Sequence, residues 1–120
     1  MYKYSFEKLD VWQNAIELST FVYTITKVFP DEEKFVLISQ MRRAAISVAS
    51  NIAEGTSRRT LKDKNYFIMV AYTSLMELLN QFIIANKLNY ISKEVLNESR
   101  DKIGLISNQL NKMSNYYKNK

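Results

Sequence analysis

Two glycines, Gly55 and Gly104, and one proline, Pro30, are all that this chain of 120 residues contains. Average usage would place roughly 8 Gly and 6 Pro in the same length. Tight turns depend on those residues, so sandwiches and barrels, which turn every few residues, are excluded in favour of a few long helices. Apolar residues make up 47% and charged residues 24%, the balance of a chain that folds around a core. The length suits one domain over residues 1–120, and no repeat, linker or low-complexity segment divides it.

Apolar periodicity predicts four helices. The first runs from Leu9 to Val28, where Val11, Ala15, Leu18, Val22, Ile25 and Phe29 recur at helical spacing and Trp12, Ile16 and Tyr23 widen the stripe. Pro30 stops it, having no N–H to give the ladder. Asp31-Glu32-Glu33 offers a cap and negative charge to a second helix from Glu33 to Glu54. Phe35, Ile38, Ala45 and Ile52 mark one face of that helix and Leu37, Met41, Ala44 and Val48 another; its second half is rich in Ala and Ser, and Gly55 is placed to close it.

Thr60 with Asp63 caps a third helix reaching Leu88. Ile68, Ala71, Leu75, Leu78, Phe82 and Ala85 form its seam, while Phe67, Val70, Met76, Leu79, Ile83 and Ile84 lie largely outside. Ser92 caps a fourth, whose seam is Leu96, Ser99, Ile103, Ile106, Leu110, Met113 and Tyr117, with Gly104 inside it. Short loops force neighbouring helices antiparallel, so the expected fold is all-α, an up-down-up-down antiparallel four-helix bundle. The surplus apolar surface of helices two and three predicts a homo-oligomer formed through them.

His and Cys are absent. Disulfides, thiolate nucleophiles, Ser-His-Asp triads and zinc or haem held by His or Cys are thereby excluded, and no metal or other cofactor is expected. Glu17, Glu54 and Glu77 fall in predicted helices where paired carboxylates with a lysine would serve acid–base work. Surface charge, or pairing with Arg42 and Arg43, is the plainer reading, and no catalytic residue is assigned. The segment Met1–Asp10 mixes aromatics with charges, unlike a targeting signal, and no continuous apolar run reaches the roughly 18–20 residues of a membrane span. The chain reads as soluble and cytoplasmic, without a membrane partner.

The net charge is +5 and the pI near 9.4, so the expected partners are acidic: RNA, DNA or an acidic protein. Arg58, Arg59, Lys62 and Lys64 crowd the turn before helix three, Arg42 and Arg43 lie mid-helix, and Lys112, Lys118 and Lys120 accompany Tyr116 and Tyr117. Cations neutralise phosphates and aromatic faces stack on unpaired bases; a solvated basic surface is the bland alternative. Arg42, Arg43, Arg58, Arg59 and Lys62 are the candidate nucleic-acid contacts.

Several ordered blocks carry a family resemblance from Phe6 to Leu110: Phe6-Glu-Lys-Leu-Asp-Val-Trp12, Phe29-Pro30 followed by Glu33-Lys34-Phe35, Ser39-Gln-Met-Arg-Arg-Ala-Ala45, Ser50-Asn-Ile-Ala-Glu-Gly55, and more weakly Ser74-Leu75 with Glu77-Leu78. The chain resembles the four-helix-bundle proteins encoded in intervening sequences of bacterial 23S ribosomal RNA genes. That family is similar in turn to the accessory protein of diversity-generating retroelements. The resemblance implies a homopentameric helical bundle, associated with nucleic acid and not an enzyme. The alternative is a protein–protein scaffold or an accessory subunit, for example to a reverse transcriptase, without direct nucleic-acid contact. The chain departs from the pattern at Thr56-Ser57, where members often carry an aromatic or small residue and Gly, and at Thr73, where Gly is common. Asn51, Glu54 and Gly55 read as structural, a helix end whose polar groups need partners.

Overall fold

Residue spacing becomes helix over α1 (Asp10–Thr26), α2 (Leu37–Thr56), α3 (Leu61–Lys87) and α4 (Lys93–Lys118), with 3-10 turns at Ser5–Lys8 and Asp31–Glu33. The computed structural model describes all 120 residues. The helix number, the antiparallel order and the seams agree with the sequence-based expectation except at Phe35, which precedes α2 and is exposed rather than marking its face. Thr60 Oγ1 accepts the Asp63 N–H at 3.1 Å and Ser92 Oγ the Val95 N–H at 3.1 Å, so both expected caps form. Every member of the expected α3 seam, from Ile68 to Ala85, is fully buried. In α4 the polar seam position Ser99 is buried without cost, because its hydroxyl donates to the Val95 carbonyl at 2.8 Å.

The start of α2 differs. The acidic triplet forms its own 3-10 turn and does not cap the helix, which begins at Leu37 behind Val36, a residue with φ −120° and ψ −96° and no capping side chain. Glu33 is instead drawn to the opposite connection, where its carboxylate accepts the Tyr90 hydroxyl at 2.8 Å. Phe29, past the end of α1, is buried with its ring 5.2 Å from that of Tyr90. That contact anchors the turn-rich connection between the two helices. The hydrogen bond to Glu33, with some desolvation, raises the Tyr90 pKa above the ordinary phenol value.

Gly55 also differs from expectation. It lies inside α2 with helical backbone and is buried; the helix runs one residue further, to Thr56. Its role is spatial. A Cβ there would stand 3.0 Å from Phe67 Cβ and 3.2 Å from the Lys64 carbonyl oxygen, so only glycine lets α3 cross at this distance. The α2 end is closed by Lys64, whose Nζ donates to the Thr56 carbonyl at 3.0 Å.

The diagonal α1–α3 pair meets through side chains, the Phe21 ring lying 6.2 Å from that of Phe82, while α4 packs between α3 and α1 and α2 packs between α1 and α3. The small residues of α2 make this possible. Ser19 of α1 reaches the Ala45 carbonyl at 3.2 Å, and Ser47 meets Ser74 of α3, oxygen to oxygen, at 2.8 Å. Asn51 donates to the Ser47 carbonyl at 2.8 Å and to its hydroxyl at 3.0 Å. The first and last helices are joined where Asn14 Nδ2 donates to Gln109 Oε1 at 3.1 Å.

Packing thus consumes most of the apolar surplus of α2, which buries Leu37, Met41, Ala44, Ala45, Val48, Ala49 and Ile52. The apolar surface left exposed on it is Ile46, beside α1 rather than α3; on α3 it is Leu61, Tyr66 and Ile84, spread along the helix. By length and composition α3 is long and apolar enough to cross a membrane, contrary to the sequence-based expectation. In the bundle its seam is covered by α2 and α4, so its apolarity has a packing partner.

The two glycines yield opposite expectations for one substitution. Around Gly104 an added Cβ meets nothing within 4 Å, so Gly104→Ala is expected to stabilise by about 1 kcal/mol through helix propensity. Gly55→Ala is expected to destabilise by about 1–2 kcal/mol, overpacking against backbone outweighing the same gain. Paired urea denaturation curves check both signs.

Candidate nucleic-acid interface

Antiparallel topology decides which charges meet. One end of the bundle collects the chain start, the α2–α3 turn and the last turns of α4. Over residues 1–10, 50–66 and 108–120 it carries Lys3, Lys8, Arg58, Arg59, Lys62, Lys64, Lys112, Lys118 and Lys120 against Glu7, Asp10, Glu54 and Asp63. The whole net charge of +5 therefore resides at this end, and the remainder of the molecule is neutral. Ser114 Oγ donates to Asn65 Oδ1 at 2.6 Å, pinning the end of α4 to the start of α3. Lys118 in the last turn of α4 also complements that helix's negative dipole end.

Three of the five candidate contacts belong here. Arg58 is held over the Phe67 ring, its guanidinium carbon 4.5 Å from the centroid, and faces Glu54 at 3.5 Å. Both partners of that ion pair are about half exposed, so it contributes little to stability and leaves the cation accessible. Arg59 and Lys62 are exposed and make no ion pair or side-chain hydrogen bond.

Arg42 and Arg43 do not join them. They sit mid-helix, about 20 Å along the axis from the turn at about 1.5 Å per residue. Nor does Arg42 pair with Glu17, Glu54 or Glu77. Its Nε donates to Thr26 Oγ1 at 3.0 Å, its guanidinium carbon lies 4.4 Å from the centroid of Tyr23, and its Nη2 reaches the Tyr23 carbonyl at 3.5 Å. Thr26 is fully buried in the last turn of α1 and gives its own proton to the Val22 carbonyl at 2.7 Å. Arg42 therefore clamps α2 onto the carbonyl-rich end of α1. Arg43 is exposed beside Phe35 and Ile38, along a shallow cleft of about 400 Å³ between the helices.

Glu17 and Glu77 are exposed and Glu54 is occupied with Arg58; no three acidic side chains are placed to hold a metal ion. Of the Tyr116–Tyr117 pair, Tyr117 packs against the core and burial raises its pKa, while Tyr116 is exposed. Residue-by-residue reading missed Lys3, Lys8, Tyr2, Tyr4 and Tyr66 at this end. The expected up-down-up-down order was the signal that brings them together.

The profile of the 23S rRNA-intervening sequence protein family matches residues 7–112. The chain belongs to this family. A solved structure from the S23 ribosomal protein family of Bacteroides thetaiotaomicron, described as a protein of unknown function, superposes with a TM-score of 0.80 at 20% identity. The match covers 87% of this chain and 97% of that one, and it gives the intervening-sequence protein the same fold. No curated protein matches the chain. Within this family member, the Ser50–Gly55 block is a packing element: Asn51 serves the α2–α3 hydroxyl contacts, Glu54 faces Arg58, and Gly55 admits α3.

The two mid-helix arginines are expected to separate in stability. Arg42→Ala leaves the Thr26 contact and the Tyr23 face unserved and should cost about 1–3 kcal/mol. Arg43→Ala should change stability by less than about 0.5 kcal/mol. Thermal melts of both variants, run together, check the difference.

Proposed function

We propose that this intervening-sequence protein is a non-catalytic module that holds nucleic acid at the basic end of its bundle. The observation that carries the reading is the placement of the entire net charge on that end. Exposed cations gathered on one surface attract phosphate over about one Debye length, 8–10 Å at physiological salt. Arg58, Arg59 and Lys62 are the primary contacts. Arg42, engaged with α1, is not among them, and Arg43 stands apart.

The contact is to phosphate, so affinity falls with salt by about −0.9 per neutralised phosphate on duplex and about −0.7 on single strands in log–log form. In titrations at several salt concentrations, Arg58→Ala with Arg59→Ala should weaken binding to every sequence and flatten the slope, with helical content unchanged by circular dichroism. Absence of binding at low salt to any RNA or DNA would leave an acidic protein, such as a polymerase to which the bundle is accessory, as the target of the same end.

The module works as a homo-oligomer, a pentamer by family resemblance, which multiplies weak phosphate contacts. Support comes from the cleft between α1 and α2, about 290 Å³, lined by Trp12, Ile16, Ile46, Ala49 and Ala53. Ile16 is 37% and Ile46 47% exposed there, so the cleft is an apolar surface without a partner in the single chain. Sedimentation equilibrium at micromolar concentration should return several times 14.1 kDa. Ile46→Glu, placed on the surface and harmless to the bundle, should return a folded monomer.

A further inference from the structure

The tyrosines are distributed as unevenly as the charge. Of eight in the chain, the only ones more than half exposed are Tyr2, Tyr4, Tyr66 and Tyr116, at 76%, 64%, 63% and 57%. All four stand at the basic end. Scattered exposed aromatics need no explanation, but four on one cationic surface form a pattern. Their setting is ordered by specific contacts. The Ser114–Asn65 hydrogen bond sets Tyr66 and Tyr116 on adjoining turns of α3 and α4. The Tyr2 and Tyr4 rings meet edge to face at 5.0 Å. Lys120 Nζ lies 4.8 Å from the Tyr116 centroid, a cation and a ring presented together.

Phosphate neutralisation alone requires no aromatic faces. A ring exposed beside cations matches the chemistry of an unpaired base, which offers a π-face next to its phosphate; in a duplex those faces are stacked on one another and closed. We propose that the basic end takes single-stranded nucleic acid, with Tyr66 and Tyr116 as stacking platforms for its bases. The inference rests on the nucleic-acid reading of the same end and narrows it to unpaired strands, read without sequence preference.

The test compares oligo-dT, oligo-U, an abasic DNA strand and a mixed-sequence duplex, all of one length, bound to the full chain at fixed low salt. The expected result is affinity for oligo-dT or oligo-U about tenfold above that for the abasic strand and above that for the duplex. Tyr66→Ala with Tyr116→Ala should remove about tenfold on the base-bearing strands and nothing on the abasic one, while the corresponding Phe pair retains wild-type binding. Both sites are exposed, and circular dichroism confirms that each variant folds. A difference between oligo-dT and oligo-U reports a preference for the sugar or for the 5-methyl group and supports the inference equally. Equal binding of abasic and base-bearing strands, tighter binding of duplex, or wild-type affinity in the Ala pair overturns it. In those cases continued sensitivity to Arg58→Ala with Arg59→Ala keeps the phosphate reading, whereas no binding to any probe ends both.

Discussion

The close approach of α2 to the helices on either side of it governs the rest of the bundle. Ala44, Ala45 and Ala49 keep its buried faces shallow, and Gly55 removes the last obstacle at the crossing with α3. Close approach brings backbone carbonyls and hydroxyls into the interior, where an unpaired polar group costs more than a made hydrogen bond returns. Ser19, Ser47 and Ser74 resolve this by bonding across the interfaces, and Asn51 by donating to Ser47 within α2. Small volume and satisfied polarity thus work together. Replacing the stripe by larger aliphatic residues would add apolar area and lose both contacts.

That packing also fixes where the turn between α2 and α3 stands. The turn is short, Gly55 seats the last turn of α2 on the first turns of α3, and Lys64 ties down the free carbonyl of Thr56. Arg58 rests on Phe67, one position from Tyr66. Lys62, Tyr66 and Tyr116 are thereby presented from helix ends, and Arg58 from a short turn fixed by its ring contact, so less ordering entropy is lost when a partner settles on them.

Much of this was legible in the residues alone. The α3 seam could be read because strict helical spacing has few alternatives, and Thr60 and Ser92 because a hydroxyl before an apolar run has one favourable use. The start of α2 was misread because Glu33 had a partner 57 positions away, and a local cap competes poorly with a hydrogen bond to Tyr90 that is reinforced by the Phe29 contact. Gly55 looked like a helix terminator because sequence does not report how near the next helix passes. Arg42 looked like a free cation for the same reason: the hydroxyl and ring that occupy it lie on another helix. The basic end was within reach, since it follows from the antiparallel order once the charges are sorted by end instead of by neighbourhood.

The order in which the helices meet bears on how quickly the chain finds its fold. Three of the four packed pairs, α1–α2, α2–α3 and α3–α4, join neighbours in sequence and close only short loops. The α1–α4 pair alone must bring distant segments together, through contacts such as Asn14 with Gln109. Low contact order of this kind belongs with folding in microseconds to milliseconds. A hairpin of α2 and α3, with its interhelical hydroxyl contacts, is a nucleus that can form before either terminus docks. The basic end, assembled from both termini and the central turn, is complete only after α1 and α4 have closed.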